Sequence, residues 1–214
     1  MNAWLEAILI LIVMLGLLIV GSRRLGTMIQ ILGLQSFILG TVPFFMYFND
    51  LEIHIIIVSA ATIILRGFLM PYFLFWAIRH VSVRSEINPV IGFGRVFFLC
   101  GLAIIGSFLL ASRLVFPVAG ISGMLIPTSF LLVILGFLLL VGRNKAISQV
   151  VGYLVLENGI FLFAILLLKK MPFLVEMGII LDLFIAVLVM GIVVDHISEE
   201  FETTDTRHLT TLKD

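Results

Sequence analysis

Apolar runs long enough to cross a bilayer alternate with short polar breaks along nearly the whole chain, and the charges collect in the breaks. A hydrocarbon core of about 30 Å takes about 20 helical residues to span. Read with that rule, the hydropathy pattern predicts seven spans, at roughly 2–20, 27–48, 53–79, 90–112, 124–142, 146–168 and 173–196. The breaks fall at Gly21 to Arg24, Asn49-Asp50, His80 to Pro89, Arg113 to Gly123, Arg143 to Lys145 and Lys169 to Pro172. The first run lacks a basic leader and ends on Ser22-Arg23-Arg24, so it reads as a span and not as a cleaved signal. The fold class is therefore all-α: a polytopic integral membrane helical bundle.

Three spans break the apolar pattern. The sixth, in its stretch Gln149 to Leu168, carries Glu157 near the middle, followed at once by Asn158. A charge at the bilayer centre costs at least about 2.5–3.5 kcal/mol. Lys145, Gln149, Tyr153 and Glu157 recur at four-residue steps. On a helix that spacing makes a polar line climbing about 6 Å and drifting about 40° per step. Such a line suits a proton or cation path to the midplane; the plainer reading makes Glu157 interhelical glue. In the third span Arg66 lies deep, on one face with Ser59 and Thr62 and one turn before Pro71. A guanidinium there keeps its proton and needs a carboxylate or a wet cavity beside it. Pro71 leaves a carbonyl unbonded and permits a kink. In the seventh span Asp182 comes out about 13 Å deep, near the level of Glu157 at about 16 Å from the opposite surface. Glu176, Asp195 and His196 lie close to span ends, where headgroups or water satisfy them.

The remaining spans read as packing helices. Gly26, Gly33 and Gly40 recur every seven residues in the second span, and Gly94 and Gly101 in the fourth, a pattern of close approach through small residues. Gln30, Gln35, Ser36 and Thr41 read as packing hydrogen bonds and not as a path.

Composition narrows the function. The chain is 62% hydrophobic and 12% charged, with no formal net charge, so nothing in it points to nucleic acid. One cysteine, Cys100, and four scattered histidines leave no thiolate cluster and no zinc motif. No Ser or Cys stands at catalytic spacing from His and Asp, and no phosphate loop is present. Electron transfer would need another polypeptide. With the N-terminus outside, the inner loops and tail hold Arg23, Arg24, Arg79, Arg84, Arg95, Arg143, Lys145, Arg207 and Lys213, against Arg113, Lys169 and Lys170 outside. That bias predicts N-out and C-in. The tail from Ile197 to Asp214 is polar and too short to fold alone.

Two midplane carboxylates and an arginine on neighbouring helices make a relay by a simple mechanism. Desolvation raises a carboxyl pKa and a nearby arginine lowers it, so a group held between those influences loads and releases a proton as its neighbours change charge. Lys145, Gln149, Tyr153 and Glu157 would form one half-path, with Asp182 the lateral or outward step.

The runs VVGYLVLENGIFLFAILLL in the sixth span and ILDLFIAVLVMGIVVDHI in the seventh resemble the membrane E component of hydrogenase-4-type group 4 NiFe hydrogenases. In that family the C-terminal three-helix part is similar to the K subunit of respiratory complex I and the C subunit of Mrp-type antiporters. The resemblance implies a four-helix part at 1–123, a K-like part at 124–197 and a cytoplasmic tail at 198–214. It implies a non-catalytic membrane subunit of an oxidoreductase (formate hydrogenlyase-like) complex in a prokaryotic inner membrane. Its partners would be antiporter-like and complex I H-like membrane subunits, together with soluble hydrogenase and iron–sulfur subunits. This chain would hold no cofactor, the nickel–iron site and iron–sulfur clusters lying in those partners. Asp182 falls where the K subunit has the glutamate of its last helix. With Asn158 aligned to the family asparagine, the other glutamate of the family corresponds to Leu154, and Glu157 stands one turn later on nearly the same face. The expected relay is thus Glu157, Asp182, Arg66, Tyr153, Gln149, Lys145 and Asn158. The alternatives are a subunit of a Na⁺/H⁺ antiporter and a membrane anchor that conducts nothing.

Overall fold

A computed structural model describes residues 2–46, 53–80, 93–114, 123–143 and 145–165, together with 178, 181, 184, 185, 187 and 191 of the last span. The helices are α1 (Asn2–Gly21), α2 (Leu25–Met46), α3 (Ile53–Thr62), a π-helical segment (Ile63–Leu69), α4 (Met70–His80), α5 (Phe93–Arg113), α6 (Leu125–Gly142) and α7 (Ala146–Ile165). With α3, the π segment and α4 counted as one span, six helices among the described residues are long and apolar enough to cross a membrane. The chain is therefore a multi-pass helical membrane protein, as the hydropathy pattern predicts. Helix is what such a sequence must form, because in lipid every backbone N–H and C=O has to be satisfied within the segment. The described residues of the expected seventh span are helical, and the rest of that span lies outside the described residues.

α2, α6 and α7 make the centre. α7 packs on α6 and α2; α1 bridges α2, α6 and α5; the π segment and α4 close the other side of α2. The N-terminal and C-terminal parts thus share one packed core, which includes Ile12, Leu32, Leu39, Leu132, Leu135, Val151 and Leu162. The short link from Arg143 to Lys145 turns α6 straight back into α7, so these two run antiparallel along one seam. That seam is set by glycines. A Cβ on Gly136 would lie 2.5 Å from the Leu156 backbone nitrogen, and one on Gly159 would lie 2.8 Å from the Ser129 carbonyl oxygen. Gly152 presses on Leu139 and Leu140 in the same way. Small residues let membrane helices come close enough for dispersion to hold them, since lipid offers apolar faces no incentive to associate.

The second glycine series behaves as expected. Gly40 packs on Ile63, Gly33 on Pro71 and the Gly67 carbonyl, and Gly26 on Phe75, so α2 lies along the third span. Gly94 and Gly101 correct the expectation: among the described residues, a Cβ on either meets nothing within 4 Å. α5 sits at the edge of the bundle and turns these glycines outward, together with exposed Phe97, Phe98, Leu102 and Ile105.

Candidate functional site

The third span is not a plain kinked helix. Pro71 has no N–H to give to the carbonyl one turn back. The chain answers with a π-helical segment, in which the Met70 N–H reaches the Leu65 carbonyl five residues away. Wide turns of this kind occur often at functional sites. Here the segment carries Arg66. Glycines on α2 let it lie close, and Phe68 meets Phe37 edge to face at 5.9 Å between ring centroids.

Arg66 is buried, and its Nη2 donates to Glu157 Oε1 at 2.9 Å. The guanidinium also stands over the Phe161 ring, with Cζ 5.1 Å from the centroid. Phe161 lies one turn beyond Glu157 on α7, so a single helix face supplies both the counter-ion and a cation–π contact. Gly178 of the last span comes up on the same group: a Cβ there would lie 3.3 Å from Arg66 Nη2. Arg66 is 11 residues into the span Ile55–Arg79, and Glu157 is 11 residues into Ala146–Ile165. Both are therefore about 16 Å from a membrane face, at the middle of the hydrocarbon. Arg66 is thus not a snorkelling side chain. The sequence demanded a partner for it and left open which carboxylate; the structure pairs it with Glu157.

Asn158, beside Glu157, faces other helices. Its Nδ2 donates to Ser36 Oγ at 3.0 Å and to Gln35 Oε1 at 3.4 Å, while Gln35 Nε2 donates to the Ile12 carbonyl at 3.0 Å. All of these groups are at mid-height of α1, α2 and α7. They form a polar layer level with the ion pair, and Gln35, Ser36 and Asn158 are all buried. Gln35 and Ser36 are packing hydrogen-bonders, as expected, but Asn158 is joined with them and not with the polar line.

Of that line, Lys145 directly precedes α7, and Lys145, Gln149 and Tyr153 are half-buried while Glu157 is buried. Gln149 Nε2 donates to the Arg143 carbonyl at 2.9 Å. Gln149 and Tyr153 line a cavity of about 300 Å³ between α6, α7 and the last span, with Leu140, Val150, Leu181 and Phe184 on its walls. Asp182, the remaining expected site residue, lies outside the described residues, as do Glu176, Asp195, His196, Lys169 and Lys170.

Sequence reasoning missed three features. Arg143, read only as a topology charge, is buried at the α6–α7 link, and its Nη2 donates to the Val20 and Ser22 carbonyls, each at 2.9 Å. It thereby closes the orphan carbonyls at the end of α1, a place that favours cations. Burial pushes its pKa below the ordinary guanidinium value. Phe161 and Gly178 were the other two. Their signals were present, an aromatic four residues after Glu157 and a glycine four residues before Asp182, but neither is distinctive in so apolar a sequence. Among the described residues no cluster of three or more His, Cys, Asp or Glu could hold a metal ion.

The fold and site define a helical multi-pass membrane protein built around a buried ion pair at mid-depth. The chain is 27% identical over 204 residues to the uncharacterised protein Rv0085 of Mycobacterium tuberculosis, covering 95% of this chain and 93% of that one. It is 28% identical over 159 residues to hydrogenase-4 component E of Escherichia coli K12, covering 74% of each, and matches the Shigella flexneri component to the same extent. The chain is thus distantly similar to hydrogenase-4 component E, in keeping with the resemblance carried by the sixth and seventh spans. No family model matches the chain, and no solved structure does.

Proposed function

We propose that this chain is a membrane subunit of an energy-converting NiFe hydrogenase-type complex, in which the Arg66–Glu157 pair takes part in moving protons as electrons pass through partner subunits. The observation that carries this reading is a carboxylate and a guanidinium held 2.9 Å apart at mid-membrane, joining the third span to the sixth. Homology to hydrogenase-4 component E supplies the setting. Redox chemistry would belong to soluble hydrogenase and iron–sulfur subunits, and ion pumping would be shared with antiporter-like and complex I H-like neighbours. The C-terminal part, 124–197, would be the counterpart of the complex I K subunit and would link those two sets.

The mechanism rests on a pair that is costly to bury and costly to split. Removing one partner of a buried ion pair costs about 3–5 kcal/mol, because it strands the other charge. A proton arriving at Glu157 weakens the attraction and frees the guanidinium for another anion; a charge change nearby reverses the exchange. With the N-terminus outside, Lys145, Gln149 and Tyr153 would lead from the inner surface toward Glu157, and Asp182 would receive or return the proton. Asn158 would hold α7 in place through Gln35 and Ser36.

Single neutralisation of Glu157 is a poor test, since breaking a buried ion pair destabilises the fold as well as any relay. The informative variant is Arg66→Met with Glu157→Met, which removes both charges at similar volume. In sealed vesicles evolving H₂, the assembled complex should translocate fewer protons per H₂ while H₂ evolution continues. An unchanged ratio would refute the relay. A second reading, that the pair only clips helices together, is favoured by Asn158, whose amide is spent on interhelical hydrogen bonds. It predicts that the apolar pair keeps full coupling.

A further inference from the structure

We infer that Gly178 is a positioning residue for the Arg66–Glu157 pair: its bare backbone sets how far the last span can come toward the guanidinium, and so where Nη2 sits. The inference rests on the proposed function only for its effect on protons; the contact itself is independent of that reading.

Arg66 is held on three sides by two other helices. Glu157 and Phe161 come from successive turns of α7, and the third side is the last span at Gly178. A Cβ at 178 would lie 3.3 Å from Nη2, so its neighbour would have to yield by a few tenths of an ångström. The atom that yields is the nitrogen bonded to Glu157 Oε1 at 2.9 Å. Displacing it lengthens that bond, and hydrogen bonds weaken quickly as they lengthen or bend. Glycine at 178 therefore leaves space next to a charged group. Gly191, in the same span, meets nothing within 4 Å among the described residues and provides an internal control.

The test uses Gly178→Ala, Gly178→Val and Gly191→Val in the assembled complex, with two readouts. The first is protons translocated per H₂ evolved in sealed vesicles, a ratio that loss of complex alone does not change. Gly178→Val should lower it about threefold, an effect of the size that groups in direct contact exert on each other, with Gly178→Ala intermediate and Gly191→Val unchanged. The second is thermal stability of the purified complex, measured with the native pair and with Arg66→Ala/Glu157→Met, where nothing remains for the new side chain to displace. The penalty at 178 should disappear in that background. An equal penalty in both backgrounds overturns the inference, whatever the vesicles show, and so does a ratio that Gly191→Val lowers as much. Should Gly178→Val fail to assemble, Gly178→Ala carries both readouts. Full coupling in Arg66→Met/Glu157→Met would remove the proposed function, while the stability comparison would still decide the contact.

Discussion

The spans Gly94–Arg113 of α5 and Ala146–Ile165 of α7 are equal in length, and the more apolar of the two is the less enclosed. An 18-residue stretch has a mean hydropathy of 2.0 in α5 and 1.5 in α7, yet 17% of the first stretch is buried within the chain and 72% of the second. In a water-soluble protein the order would be reversed. In a bilayer, Phe97, Phe98 and Ile105 of α5 lose nothing by facing lipid, whereas Glu157 and Asn158 of α7 must find protein partners. Glycine sorts the same way. Gly152 and Gly159 are pressed against α6, while Gly94 and Gly101, at the same seven-residue spacing, face outward. Enclosure in this protein follows polarity and close backbone approach, and hydrophobicity says only that a helix crosses.

Substitutions can break that contrast, beginning with the charge. Glu157→Gln should destabilise the protein by about 3–5 kcal/mol by breaking the buried ion pair with Arg66. Thermal unfolding in detergent checks this, and most of the loss should be recovered when Arg66→Met is added. Next comes the seam. Gly159→Val should cost about 1–3 kcal/mol through overpacking against the α6 backbone, while Gly101→Val on α5 stays within about 0.5 kcal/mol. A large penalty at Gly101 in the isolated chain would erase the difference between the two helices.

Arg143→Ala should cost about 1–2 kcal/mol, the loss of two bonds to the α1 carbonyls being partly offset by relief of burial. The sign of its pH dependence follows from a pKa held below the ordinary value by desolvation. The unfolded chain then binds more protons between the two pKa values, so stability rises with pH only in that alkaline interval. Near neutrality the guanidinium is charged in both states. Denaturation midpoints of the parent and Arg143→Ala should therefore run parallel from about pH 5 to pH 8. The smallest effect expected on α7 is from Asn158→Ala, about 0.6–1.7 kcal/mol, the usual worth of interhelical hydrogen bonds in membranes. A loss matching that of Glu157→Gln would make the amide layer, which joins α7 to α2, as strong a tie as the ion pair, which joins α7 to the third span.

Much of the architecture was legible from the chain alone. Six spans lie within a few residues of where hydropathy puts them, since a membrane helix satisfies its own backbone and announces its length locally. Arg66 and Glu157 stood out by the same local rule, as charges where charge is expensive. The π segment was half visible: Pro71 announced a break, but not that the backbone would widen over seven residues before it. The glycines of α2 and of α5 have the same spacing in sequence and opposite surroundings in space, so periodicity could not tell them apart.

The sequence by itself thus determined that the chain is a helical membrane protein, where its spans lie, and that a carboxylate and a guanidinium sit at mid-depth. Each of these follows from the solvent, which acts on every segment separately. Only the tertiary structure decided that Arg66 takes Glu157, 91 residues away, that Asn158 goes to Gln35 and Ser36, and that Gly178 lies against the guanidinium. Those choices depend on which helices become neighbours and at what rotation, and that is set by the sum of many close contacts between glycines and backbones that no single stretch of sequence encodes.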